Sequence, residues 1–594
     1  MKATINMSFR EIILRRVTGA VCWSLALQAV LLVTVLCVLN FNPWHPILWI
    51  ERTAALSVSL GTWLFFFPVG LAICMQSIMS CKDFMVVRRY CGTRFALYCN
   101  MFTLHNLIMF TLYAVTGGLI TWMHLCLLGG KYGKLFAICS ADDNKMCLVE
   151  GYLFLILNGF WIGMYFFVND YVFGHKSLYF PVVQQFKFLQ VKAELQSLMK
   201  RAMIDSLSPS AYFVVLYYWN GGAVRGYVSD ILDCNIEEKS QDTVFGLMNI
   251  SQLFYSWLFS SIFIFTIYNV KLMLCVNLTE RIVFPITPVV GNSDCLTLYQ
   301  SLAMTDVPII QYLSFLDLKV LAERDCGRRE ELFTLSHPGG HPHNWNAIVE
   351  ETLKLIKKFT EDINKANSET KPAPANNEYV ITKDYSPSKS SSFVANENRG
   401  VFATGMRNLS LRTHNMSDIS LCQSPSNIDH FQPRPVNITQ ESILRIVQLY
   451  STQALDALCK KPGISFVFGD LPDAKVRYHL AQCQPVIWAI QGLSCLAAAS
   501  FKEDRYGVVQ KDLPAIITSL LQLKQALDRL QKVGNYKRSQ KSEHYDMKMK
   551  AALRSAVKRS LYTISIAFGD YVKDLPLTKE VLQQIQHFLN FREG

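Results

Sequence analysis

The residues of this chain best suited to chemistry lie in Leu335–Trp345, LSHPGGHPHNW, where three histidines fall within seven residues. Neutral imidazole is a common zinc ligand, so His337, His341 and His343 form a candidate metal set. His341 and His343 flank Pro342, which biases the segment towards extended geometry, where alternate side chains share a face. Against this set, no cysteine lies within ten residues, and no HExxH helix supplies a general base. A stiff turn is the better reading. Pro338-Gly339-Gly340 is turn chemistry, with glycine open to positive φ. Asn344 or Asn346 could cap a following helix that buries Trp345, Ile348, Val349, Leu353, Ile356 and Ile363 at 3–4 spacing. The site expected here is a structural turn and cap at Pro338, Gly339, Gly340, Asn344 and Trp345.

A second group sits inside apolar runs: His105, Asn106, His124, Glu150 and Asn158. Polar groups at membrane depth are suspects for a transport path, or for an enzyme buried in the bilayer. They also hydrogen-bond neighbouring helices as plain packing. Only Glu150 is ionised at neutral pH, and no inverted repeat stands out, which favours packing. The chain carries no G-x-S-x-G, Walker A, Rossmann fingerprint, paired CxxC or metalloprotease helix. No catalytic residue, metal or cofactor is expected.

These residues are set in an unusually apolar frame. The chain has 594 residues, 51% of them hydrophobic, and a mean hydropathy of +0.19. The excess is concentrated in six runs: Val17–Leu39, Ala54–Ser80, Leu104–Leu128, Leu148–Val168, Ile204–Val224 and Phe245–Val270. Each approaches the roughly 20 apolar residues that a bilayer crossing needs. The fifth is the weakest, diluted by Asp205 and a Ser/Pro opening. The first is longer than a signal-peptide core and follows Arg10, Arg15 and Arg16, so it reads as a signal anchor.

Lys and Arg number 13 on the side of the N-terminus and 6 in the alternate loops. The positive-inside rule therefore puts both termini in the cytosol. Cys139 and Cys147 then share a luminal loop, where an oxidising compartment permits a disulfide between them. The sequons at Asn6, Asn249, Asn277, Asn408, Asn415 and Asn437 fall in a span or on the cytosolic side, so no N-glycan is expected. The compartment that fits is the endoplasmic reticulum or nuclear envelope.

The expected fold class is all-α: a six-helix transmembrane domain over 1–270, a juxtamembrane helical region over 271–365, and a C-terminal helical domain over 440–594. Between them, 366–439 gathers Ser, Asn and Pro with seven Lys/Arg against six Asp/Glu, a composition too polar to fold alone. Ser386 and Ser424, each followed by proline, are candidate phosphorylation sites there. Ile443, Ile446, Leu449, Ala454 and Leu458 suit one helix face. The 16-residue run from Pro485, PVIWAIQGLSCLAAAS, is short for a span and reads as a buried core helix. Val508, Val509, Leu513, Ile516 and Leu520 are expected core positions. Lys524–Arg559 holds 11 Lys/Arg against three acids. It fits either a solvated face or contact with an anionic leaflet or acidic partner. No groove-reading motif or aromatic platform suggests nucleic acid.

Three stretches together carry a family resemblance: FPVVQQFKFL (Phe180–Leu189), LSHPGGHPHNW, and WAIQGLSCLAAASFKEDRYGVVQKDLPAIITSLL (Trp488–Leu521). With the six spans and the polar linker, the chain resembles the nuclear division cycle (Ndc-type) transmembrane nucleoporins. The resemblance implies an integral protein of the pore membrane that holds the nuclear pore complex scaffold in the nuclear envelope and supports pore assembly. It further implies partners among scaffold nucleoporins, including an aladin-type WD-repeat protein, an RRM-like membrane-binding linker nucleoporin and other pore-membrane proteins. No cofactor is implied. The lack of Phe-Gly repeats argues against a share in the permeability mesh.

Overall fold

A computed structural model describes residues 2–85, 90–138, 146–173, 180, 185–232, 234–236, 249–288, 296–336, 339–369, 462–469, 474–533 and 541–590. Ser386, Ser424, Cys139, His337, Pro338 and the expected helix at Ile443–Leu458 lie outside the described residues. The chain divides into two units, 1–371 with 463–594, and 372–462, which apart from Pro462 is outside the described residues.

The first unit is built almost wholly of helices. Its N-terminal part comprises α1 (Lys2–Leu39), α2 (Pro46–Val58), α3 (Leu60–Met85), α4 (Arg94–Met101), α5 (Leu104–Leu128), α6 (Glu150–Phe173), α7 (Lys187–Asp205), α8 (Leu207–Leu232) and α9 (Ile250–Leu278). Three short strands form the one sheet among the described residues. β2 (Met146–Leu148) pairs antiparallel with β1 (Phe136–Ile138) and parallel with β3 (Asn235–Ile236).

That sheet fixes which helix ends share a face of the bundle. β2 runs straight into α6, and β3 follows α8, so α6 begins and α8 ends at the same level. The opposite face is marked by other pairs. Asp170 near the end of α6 binds Lys271 at 2.7 Å. Asp83 near the end of α3 meets His105 at the start of α5, 2.8 Å apart. Arg16 on α1 donates to the Leu278 carbonyl at the end of α9, 3.0 Å away. The helices α1, α3, α5, α6, α8 and α9 therefore alternate in direction between the two faces. The N-terminal segment and the chain after α9 lie on the face opposite the sheet.

Six helices among the described residues are long and apolar enough to cross a membrane: Arg10–Leu39, Leu60–Met85, Leu104–Leu128, Glu150–Tyr171, Ile250–Leu278 and Gln484–Glu503. Five of them overlap expected spans. The sixth is the helix expected as core, and α8, expected as a span, is not among them. The two helices differ in packing. On α8, Tyr212, Val215, Tyr218 and Trp219 face outwards. Its inner side sets Phe213 and Tyr217 against Phe154 of α6, with ring centroids 5.0 and 4.9 Å apart. Gln484–Glu503 instead packs among the helices of the C-terminal part, with Trp488, Ile490, Leu493 and Leu496 buried. The alternation of faces also requires α8 to return to the sheet that α6 leaves.

The pairs above place the fifth traverse more finely. Arg225 of α8 meets Glu150 in the first turn of α6, while Pro209 in the first turn of α8 accepts from the Trp161 indole, about halfway along α6. The remaining depth is covered by α7, whose Lys187 bonds Asn277 near the end of α9 at 3.2 Å. The break between α7 and α8 falls at Ser206. The fifth apolar run of the sequence, Ile204–Val224, thus straddles a break between two helices.

Small residues set the closest packing. A side-chain carbon on Gly163 of α6 would stand 2.2 Å from the Tyr113 carbonyl oxygen of α5, and one on Gly117 would stand 2.2 Å from that of Gly159. Gly159-x-x-x-Gly163 is the spacing that lets two membrane helices approach backbone to backbone. On the outer side of α3, Leu64, Phe67, Leu71, Met75 and Ile78 are all exposed at 3–4 spacing. A stripe of that size belongs against lipid rather than water.

The C-terminal part comprises α10 (Leu298–Leu302), α11 (Pro308–Arg324), α12 (Cys326–Phe333), α13 (His343–Glu369), α14 (Pro462–Phe468), α15 (Ala474–Ala481), α16 (Gln484–Glu503), α17 (Leu513–Val533), α18 (Lys541–Phe568) and α19 (Lys579–Asn590). α16 is its centre, with Trp488, Ile490, Leu493 and Leu496 buried. The side chain of Ser494 bonds Ser560 of α18 at 3.0 Å, and Arg329 of α12 grips Glu503 with two bonds of 2.7 and 2.8 Å. Val508, Val509, Leu513, Ile516 and Leu520 are all buried. α13 runs on to Glu369 with Ala366 buried, past the start of the expected linker.

Candidate functional site

The LSHPGGHPHNW segment is a turn that seats a tryptophan. Gly339 has φ +78°, the left-handed region that favours glycine. Ser336 N–H donates to the His341 carbonyl at 3.3 Å, closing the loop. Trp345 is fully buried against Phe333, with centroids 5.7 Å apart, and its indole N–H donates to Asp512 at 2.9 Å. One detail of the expectation is corrected. The helix starts at His343, so Asn344 lies inside its first turn and is not the cap. Pro342 takes the preceding position, and its carbonyl accepts from Asn346 N–H at 3.0 Å. A fixed proline φ suits that boundary. His341 and His343 are exposed, and the described residues hold no group of three metal-ligating side chains.

The polar residues of the bundle are distributed among separate helix contacts. Asn158 of α6 donates to Ser260 of α9 at 3.0 Å, and Thr266 of α9 donates to Gln28 of α1 at 2.8 Å. The Nδ1 of His124 lies 2.7 Å from the Ile120 carbonyl of its own helix, and Asn106 donates to the Asn100 carbonyl at 2.7 Å. Glu150 forms a buried ion pair with Arg225. Apart from the His124 contact, which stays within α5, these contacts tie neighbouring segments together at several points, as packing hydrogen bonds do.

The site that sequence reasoning missed is the junction between bundle and C-terminal part. Asp317 of α11 is fully buried. Its Oδ1 accepts from Arg281 at 3.0 Å, and its Oδ2 accepts from Arg328 at 2.9 Å and from Phe284 N–H at 3.1 Å. Arg16 reaches the Leu278 and Arg281 carbonyls at 3.0 and 3.4 Å. A buried carboxylate needs this number of partners to offset its desolvation. The chain from α1 through the end of α9 to α11 and α12 is thereby fastened by one carboxylate and three guanidinium groups.

A second tie joins the bundle to the C-terminal part. Arg94, at the start of α4, donates to the Phe466 carbonyl at 2.8 Å and stacks over that ring at 3.9 Å. Phe95 packs on Phe468 at 4.6 Å, and Tyr90 on Tyr478 at 5.7 Å. The loop between the second and third spans thus holds α14 and α15. No sequence signal marks either tie, because the partners are far apart in the chain and of ordinary type.

Cys147 is disulfide-bonded and lies at the centre of the three-stranded sheet, opposite Ala137 and Asn235.

Comparison with known proteins supplies the lineage of this arrangement. The family model for Nucleoporin protein Ndc1-Nup matches residues 11–586. The chain is 27% identical to mouse (Mus musculus) Nucleoporin NDC1 over 97% of its own length and 96% of the relative's. It is 28% identical to the human protein of that name, covering 97% of each. It is also 28% identical to Nucleoporin Ndc1 of Drosophila melanogaster, again over 97% of each. A match of that extent, over the bundle, the turn and the C-terminal helices together, makes the chain a member of the Ndc1 nucleoporin family.

Proposed function

We propose that the protein is a membrane nucleoporin that fixes the scaffold of the nuclear pore complex in the nuclear envelope and supports pore assembly. The observation that carries this is the junction at Asp317, which couples the bundle to a helical body large enough to dock soluble partners. The six traverses α1, α3, α5, α6, α7–α8 and α9 hold the chain in the pore membrane, and both termini face the cytosol and pore. The role is structural rather than catalytic. Transport is the weaker reading, because the polar groups of the bundle join helix pairs instead of lining one path.

The docking partners on this reading are scaffold nucleoporins, among them an aladin-type WD-repeat protein and an RRM-like membrane-binding linker nucleoporin, with no nucleic acid involved. Cys139 is the proposed partner of Cys147, and Ser386 and Ser424 the proposed phosphorylation sites. Proximity labelling from a tagged C-terminus tests the central point. Enrichment of pore components at a punctate nuclear rim is the expected result, and an endoplasmic-reticulum-wide set without them overturns it. Non-reducing peptide mapping checks the cysteine pair.

A further inference from the structure

α2 lies between the first two traverses and belongs to neither. α1 runs from Arg16, on the face of the C-terminal part, to Leu39, and α3 returns from Leu60 to Asp83 on that same face. At about 1.5 Å per residue each stretch covers roughly 35 Å, a little more than the roughly 30 Å hydrocarbon core of a bilayer. The start of α2 is fixed to the end of α1, where the Trp49 indole donates to the Cys37 carbonyl at 2.8 Å. Its end is fixed to the start of α3, where Thr62 and Trp63 donate to the Leu56 and Ser57 carbonyls at 2.6 and 3.0 Å. Both ends of α2 therefore stand at one level, at the edge of the hydrocarbon core on the sheet side, and the helix lies across the bundle end. The same bonds satisfy carbonyls that helix ends leave open, as backbone in contact with lipid requires.

The residues of α2 are sorted to suit that level. Thr53 is buried and Trp49 half-buried against the bundle. At the 100° step of a helix, Ile47, Ile50, Ala54 and Val58 share an arc of about 80°. The three large members are 79%, 61% and 82% exposed. Arg52 points about 160° from the middle of the arc, and Glu51 falls just beyond its edge. Leu48 is the one strongly exposed large apolar side chain outside the arc. Past Val58 the exposed apolar surface continues through Leu60 and Leu64 into the outer stripe of α3, which belongs against lipid. Trp44, just ahead of α2, and Trp63, just after it, are both exposed. Indoles gather at this depth, where the hydrocarbon core meets the headgroups.

We propose that α2 is an interfacial helix in the leaflet on the sheet side, with Ile47, Ile50 and Val58 among phospholipid acyl chains, Trp44 at the headgroups and Arg52 turned to the aqueous side. A short helix with an apolar flank and a charged one lies in the membrane plane in this way. The proposal rests on the six-traverse reading, under which this leaflet is the luminal one. It gives the protein a shallow hold on lipid outside its traverses, on the face away from the C-terminal part.

Full-length protein reconstituted in phosphatidylcholine vesicles tests it. A diazirine amino acid is placed in turn at Ile47, Ile50, Val58 and Arg52, and at Phe67 on the outer stripe of α3. On illumination each position yields a phospholipid adduct, a water adduct or a cross-link within protein. The expected result is phospholipid adduct at Ile47, Ile50 and Val58 matching that at Phe67 and several-fold above that at Arg52, where the water adduct dominates. Lipid adduct at Phe67 with mainly water adduct on the arc overturns the inference. So do arc cross-links to a second copy or to residues 139–145 or 237–248, the stretches outside the described residues that join β1 to β2 and β3 to α9. Lipid adduct at Arg52 equal to that on the arc overturns the interfacial placement. An absence of lipid adduct at Phe67 as well removes the six-traverse reading, and the inference falls with it.

Discussion

Arg225 of α8 donates to Glu150 of α6 across an interface in which both side chains are almost fully buried. The two residues are 75 positions apart: Glu150 opens α6 directly after β2, and Arg225 lies in the later part of α8, the helix that β3 follows. Both stand at the end of the bundle opposite the Asp317 junction, so the pair holds the start of α6 and the later part of α8 at one level. Removing one partner strands a buried charge, at a cost of about 3–5 kcal/mol. Glu150→Gln or Arg225→Met should therefore lower the thermal midpoint of the detergent-solubilised protein sharply. The double replacement Glu150→Leu, Arg225→Met should recover most of the loss, because apolar substitutes of similar volume are often tolerated. A double variant as unstable as the singles would show that the pair does not act as a unit.

Glycine substitution should give opposite signs at two helical positions. Alanine is favoured over glycine in a helix by about 1 kcal/mol. Gly226 of α8 has open space where a side-chain carbon would go, so Gly226→Ala should stabilise by up to that amount. Gly163 of α6 has the Tyr113 carbonyl 2.2 Å from the same point, so Gly163→Ala must push α5 and α6 apart. Overpacking of that kind costs about 1–3 kcal/mol. Parallel melts of the two variants check the contrast, and equal shifts would argue against the close approach.

Much of this fold is legible in the sequence because a lipid-facing helix must be apolar along its whole length. α1, α3, α5, α6 and α9 announce themselves in that way. α8 does so poorly, since tyrosines, glycines and Asn220 occupy a helix whose inner face packs on aromatic rings. α16 errs in the other direction: it is long and apolar enough for a span, and only its neighbours distinguish it. The helix seating Trp345 follows from 3–4 spacing, but its starting residue depends on which of Pro342, His343 and Asn344 first takes helical φ and ψ, a choice of a fraction of a kcal/mol. The junction at Asp317 and the Arg94 tie stay hidden because contacts between residues far apart in the chain leave no local pattern. Arg225, Arg281 and Arg94 look in sequence like any loop arginine.

Acid should loosen the C-terminal part through His479. Burial lowers the affinity of this imidazole for a proton below the ordinary histidine value; Asp362 opposes the shift and Lys475 adds to it. With the folded value below the unfolded one near 6.5, the native state binds fewer protons than the unfolded chain. The stability it contributes is complete above about pH 6.5 and is lost as pH falls through the folded value. The thermal midpoint should drop between pH 7.5 and 5, and His479→Gln should make that drop smaller. An unchanged drop in the variant would assign it to other groups.

The turn at Gly339 makes the last expectation, because the metal and structural readings of its histidines diverge there. His341 and His343 are exposed, so His341→Ala and His343→Ala should each stay within about 0.5 kcal/mol of the parent. Chelator treatment should leave the melt unmoved. Trp345→Phe keeps most of the ring but removes the donor to Asp512, and an unsatisfied partner of that kind costs about 1–3 kcal/mol. Gly339→Ala forces a side chain into φ +78° and should cost on the order of 1 kcal/mol. Thermal melts of the four variants with and without chelator read all of this at once. A chelator-sensitive parent that loses its sensitivity in His341→Ala would reinstate a metal at the turn, whereas losses confined to Trp345→Phe and Gly339→Ala mark the segment as the hinge pin of α13.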